Sequence, residues 1–91
     1  METTLITTET CCIQYNIEPS FIDALEEFEL IHITVQEQQK YIHPDELHDL
    51  EKYIHLHYDL NINMEGMDVI NHLLHRVKEM QTELIQLRGR M

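Results

Sequence analysis

Only two glycines and two prolines occur in the 91 residues, tryptophan is absent, and the two cysteines stand side by side at Cys11 and Cys12. So few chain breakers, with 43% hydrophobic residues, exclude a low-complexity tail and point to an ordered, helix-rich domain. Adjacent cysteines rarely reach disulfide geometry without backbone strain, so no disulfide framework is expected and a reducing compartment is. The opening METTLITTET has no basic or apolar signal region, and no apolar run reaches the length of about eighteen residues that a membrane span needs. A soluble, cytoplasmic protein without membrane contact is expected.

Positive charge is scarce as well. Seventeen Asp and Glu against six Lys and Arg give a formal charge of -11, and the first cation in the chain is Lys40. Glu2, Glu9, Glu18, Asp23, Glu26, Glu27, Glu29 and Glu37 all precede it. Such a surface repels phosphate backbones, which argues against nucleic acid as a partner. It either keeps a small protein soluble or faces a cationic partner. A chain of this length buries about 60 to 65% of its unfolded surface, which leaves a small core and little room for an enclosed active site.

Catalytic patterns are missing too. There is no glycine-rich phosphate loop and no GxSxG elbow. Cys11 and Cys12 sit in an acidic neighbourhood that discourages the thiolate. Among the seven histidines, His72 and His75 share a helix face without a completing ligand, and His55 and His57 point about 200° apart on a helix. No enzyme, cofactor or metal is expected. His43-Pro44-Asp45 repeats the tripeptide of J-domains, but no basic helix precedes it, and Pro44 reads as an ordinary helix start.

The remaining pattern predicts a mainly α fold. Thr7 or Thr8 caps a first helix to about Tyr15, with Asn16 ending it. Pro19 opens a second helix whose Phe21, Ile22, Leu25 and Phe28 face the core and whose Asp23, Glu26 and Glu27 face water. IHITV at Ile31 to Val35 and KYI at Lys40 to Ile42 form a hairpin around QEQQ. A third helix runs from Pro44 to about Leu60 through Leu47, Leu50, Ile54 and Tyr58. Asn63 caps the last helix, with Ile62 stapled onto Met67. Ile70, Leu73, Val77, Met80, Leu84, Leu87 and Met91 then keep an unbroken three-four spacing, the seam of about three heptads. Ile70 and Leu73 are expected to touch the chain's own core. The stripe beyond them, and the seam from Ile70 to Leu87 as a whole, are expected to pair with a second copy in a homodimer. Residues 1–62 would form the body and 63–91 a dimerisation helix packed on it, as one structural unit.

The order helix, helix, small wing, helix and long final helix, with ITTETCCIQYNIEP at the first helix and turn, resembles the winged helix-turn-helix of MerR-type regulators. Within that group, the run L-H-x-D-L-x-I-N-x-E-G-x-x-V-I-x-H-L-L from Leu56 to Leu74 resembles the chaperone-modulatory protein CbpM family. That resemblance implies a modulator that binds the J-domain of a DnaJ-like co-chaperone and inhibits its stimulation of an Hsp70 chaperone. J-domains present a basic helix, and Asp23, Glu26 and Glu27 are the candidate partner-binding residues on charge grounds. The alternatives are a MerR-type transcriptional regulator and an acidic adaptor for some other protein. DNA binding sits poorly with PSFIDALEEFE, a second helix carrying four acidic residues and no cation where such regulators place Arg or Lys.

Overall fold

The computed structural model describes residues 4–89. A two-residue strand, β1 (Ile6–Thr7), runs into helix α1 (Thr8–Tyr15). Thr7 is the cap: its Oγ1 accepts the Thr10 N–H at 3.1 Å. Asn16 closes the helix in the left-handed conformation at φ 55°, which asparagine tolerates better than most residues. Three residues later Pro19 starts helix α2 (Pro19–Glu27), where its missing N–H removes no hydrogen bond. α2 stops in a Schellman turn. The Leu30 N–H reaches the Leu25 carbonyl and the Glu29 N–H the Glu26 carbonyl, both at 2.9 Å, with Glu29 left-handed at φ 59°.

The wing is strands β2 (Ile33–Gln36) and β3 (Gln39–Ile42), paired antiparallel from Ile33 with Ile42 to Gln36 with Gln39. Its turn is only Glu37-Gln38, at φ 49° and 66°. Both residues take the left-handed conformation of a tight hairpin, which matches the strand twist but usually calls for Asn-Gly. The sequence expectation is corrected here in two ways. Gln36 and Gln39 belong to the strands rather than the turn, and Ile31 and His32 precede the sheet. Ile31 is instead a core anchor, 2% exposed. β1 pairs with the other edge of β3, Ile6 opposite Ile42, and completes a three-stranded sheet of order β1-β3-β2.

The third helix also departs from its expected form. Pro44–Glu46 is a single 3-10 turn, followed by α3 (Leu47–Ile54) and then a wider π turn over His55–Asp59. In that last turn the Leu60 N–H reaches back five residues to the His55 carbonyl. The wide turn leads into His57 stacked on Phe21 of α2, ring centres 4.9 Å apart, and Tyr58 edge-on to the same ring. The Tyr58 hydroxyl accepts the Glu18 N–H at the head of α2. Tyr15 adds a second tie from α1, donating to Glu51 Oε1 at 2.8 Å.

Helix α4 (Met64–Arg88) begins as the sequence predicts, with Asn63 Oδ1 accepting the Gly66 N–H at 2.8 Å. Gly66 is a close-approach position. A Cβ there would stand 2.9 Å from Ile62 Cγ2, the methyl that packs beside the helix start. Cys11, Ile22, Leu25, Ile42, Leu50 and Met67 fill the centre of the core, each less than 2% exposed. Helices α1, α2 and α3, both wing strands and the first turn of α4 thus contribute to one small core. Beyond Asn71 all of α4 is exposed, so the helix stands away from the body. The radius of gyration shows the same thing, 16.1 Å against about 12 Å for a compact chain of this length.

Tyr53 ties α3 to α4. Its ring is 2% exposed and its hydroxyl donates to Asn71 Oδ1 at 3.2 Å. Burial, reinforced by Asp49, Glu46 and Asp68, pushes its pKa up to about 12 from the usual 10. A raised tyrosine pKa means that the fold prefers the neutral phenol. This stabilisation is complete below pH 10 and is lost as pH rises through 12, about 3 kcal/mol for two pH units. Denaturant midpoints should therefore fall over that window in the wild type. They should fall much less in Tyr53→Phe, which has no phenol to ionise.

Candidate functional site

Two surfaces carry the residues singled out from the sequence. The first is the face formed by α2 and the wing. Asp23 and Glu27 are exposed on the side of α2 turned away from Phe21 and Leu25, and Glu26 is half-buried on the flank beside Ile22. The structure brings Asp23 and Glu26 together through a residue that sequence spacing gave no reason to place there. The Lys40 ammonium, on β3, lies 3.4 Å from Asp23 Oδ1 and 4.0 Å from Glu26 Oε1. Glu27 takes no part in this bridge. Lys40 is the first cation in the chain and the only cation of the wing, so the charge that would meet a phosphate is tied to the carboxylates of the neighbouring helix.

Asp23 also bears on one of the two cysteines. Cys11 is fully buried and its thiol pKa is raised, by burial first and by Cys12 second. Cys12 is half-buried, and its pKa is raised by burial and then by Asp23 and Glu9. Both side chains are free thiols held in the protonated form. Among the described residues, no three His, Cys, Asp or Glu side chains gather in a way that would hold a metal ion. Four of the histidines are instead beside single carboxylates: His43 with Asp45, His55 with Asp59, His72 with Asp68 and His75 with Glu79.

The second surface is the projecting part of α4. Leu73, Val77, Met80, Leu84 and Leu87 are 43 to 61% exposed, while Ile70 is half-buried at the edge of the body. The expectation that Leu73 rests on the chain's own core is corrected, because Leu73 is 57% exposed and the body ends one turn earlier. Leu74, outside the expected seam, is exposed beside it and widens the stripe. Met91 lies outside the described residues. Where α4 leaves the body, an open groove of about 640 Å³ separates it from α3. His48, Asp49 and Lys52 form one wall, with Asn71, Leu74 and Val77 on the other. No helix among the described residues is long and apolar enough to cross a membrane.

Helix α1, a three-residue turn, helix α2 and a hairpin folded back beside them define a small helix-turn-helix domain with a wing. The model of MerR HTH family regulatory proteins matches residues 6–89, and the chain belongs to that family. No curated protein and no solved structure matches it.

Proposed function

We propose that this MerR-family domain regulates by binding a protein rather than DNA, as a non-enzymatic modulator. Its partner is the J-domain of a DnaJ-like co-chaperone, whose stimulation of Hsp70 it inhibits. The observation that carries the first part is the α2 and wing face. The helix that would enter a major groove bears three carboxylates, and the wing's single cation is spent on two of them. Against phosphate this face is repulsive on balance. Against a basic helix it is complementary, which gives fast association that weakens with salt.

The identity of the partner rests on the resemblance of Leu56 to Leu74 to the CbpM family. The fold gives that run a physical content: Ile62, Asn63 and Gly66 together set the start of α4. We also read the protein as a homodimer through α4. In an antiparallel pair Ile70, Leu73 and Val77 face Leu87, Leu84 and Met80 of the second copy. In a parallel pair Glu83 reaches Arg88 of the second copy. Five side chains already about half exposed offer roughly 1 kcal/mol each on burial, about 10 kcal/mol for both helices. That is comparable to the cost of association, so the bodies must add contacts of their own.

A second reading, a DNA-binding regulator, is favoured by the family match alone. Binding to the J-domain measured in parallel with binding to duplex DNA separates the two. The proposal expects saturable J-domain binding and no duplex binding at physiological salt; tight, sequence-specific duplex binding would overturn it.

A further inference from the structure

We infer that Lys40 is an internal stand-in for the partner's cation, seated between Asp23 and Glu26 and displaced when a basic partner docks. This deepens the proposed function and rests on that reading of the α2 and wing face. The bridge is built from separate elements. Lys40 comes from β3 and the carboxylates from α2, Asp23 being seventeen residues earlier and Glu26 fourteen, so it is the wing that holds an ammonium over the helix. All three side chains are partly open to solvent, Lys40 by 48%, Asp23 by 60% and Glu26 by 39%. An incoming guanidinium or ammonium can therefore reach the carboxylates from outside.

The strand register adds an apolar element to the same place. Val35 pairs directly with Lys40, so the two side chains lie on one face of the hairpin, and Val35 is 63% exposed. Two carboxylates beside an exposed valine suit an arginine or lysine on an amphipathic helix, its aliphatic stem against Val35 and its head on Asp23 and Glu26. Lys40 occupies that position in the free protein. Its release costs little, because an exposed ion pair of this length is weak. Its charge nevertheless opposes the partner's cation throughout the encounter. Lys40 thus limits affinity and selects partners whose cations can outcompete a single tethered ammonium.

The test compares wild type, Lys40→Met and Lys40→Arg in calorimetric titrations against two ligands. One is the J-domain of the organism's own DnaJ-like co-chaperone, and the other is a synthetic amphipathic helix of leucine and lysine. Lys40→Met should bind both about two- to five-fold more tightly, the range that removal of one weak surface pair implies. Lys40→Arg should bind like the wild type. The gain should vanish in an Asp23→Asn, Glu26→Gln background. Unchanged or weaker binding by Lys40→Met overturns the role of Lys40 and leaves the J-domain reading standing. Peptide binding that tightens in Lys40→Met without any J-domain binding keeps Lys40 and removes the J-domain. Binding of neither ligand to the wild type overturns both.

Discussion

Replacing Val77 and Leu84 together with aspartate should convert the protein from the mass of a dimer to that of a single chain in solution. Both side chains lie on the projecting part of α4, 43% and 49% exposed. In the proposed dimer the second copy covers this stripe, which supports the order of α4 as far as Arg88. In the proposed dimer the double substitution places four carboxylates in the seam, where desolvation without a counter-charge costs several kcal/mol. Two results should follow together: a halved mass by light scattering, and a fall in helical ellipticity as the end of α4 frays. The core should survive, because Met67 and the residues before it are untouched. An unchanged mass would mean that the seam is not the contact between copies.

Reversing Asp23, Glu26 and Glu27 to lysine should cost at least about tenfold in J-domain affinity, or about 1.4 kcal/mol. The formal charge changes from -11 to -5, since each of three substitutions adds two units. Each carboxylate that meets a cation at the rim contributes little, but reversal replaces attraction with repulsion at three neighbouring points. The fold should tolerate the change, because none of the three is a core residue and, among the described residues, the only ion-pair partner they lose is Lys40. Most of the loss should appear in the association rate and shrink at high salt. Full affinity in the triple variant would move the partner surface elsewhere on the molecule.

Much of the fold is legible in the sequence because it depends on local chemistry. Thr7, Pro19 and Asn63 stand where caps and first-turn residues belong, and each does that work in the structure. Phe21, Ile22 and Leu25 are spaced for one helix face and fill the core. What escaped is what local chemistry does not encode. β1 has two residues, too few to show a period of two. The hairpin turn puts Glu37 and Gln38 in a conformation that normally announces itself with glycine or asparagine, so the polar run QEQQ marks the turn one residue too wide on each side. The π turn after Ile54 leaves apolar residues near α-helical spacing and betrays itself only in the hydrogen bonds.

The candidate site divides in the same way. The acidic face of α2 follows from helical spacing, and the α4 seam from its heptads. The length of helix left uncovered does not, because it depends on where the body ends. The bridge from Lys40 to Asp23 and Glu26 needs the sheet to carry one residue back over another seventeen positions away. The lone wing cation in a run of acids was nevertheless visible, and opposite charge in a family that uses the wing beside the second helix was the signal that could have found it.

The central claim, that this MerR-family domain works through a protein partner met by its acidic face, is tested most directly by calorimetric titration of the unmodified protein with the J-domain of its own organism's DnaJ-like co-chaperone, at low and at physiological salt. The account predicts saturable binding at both, weaker at the higher salt. No heat of binding at either salt would contradict it.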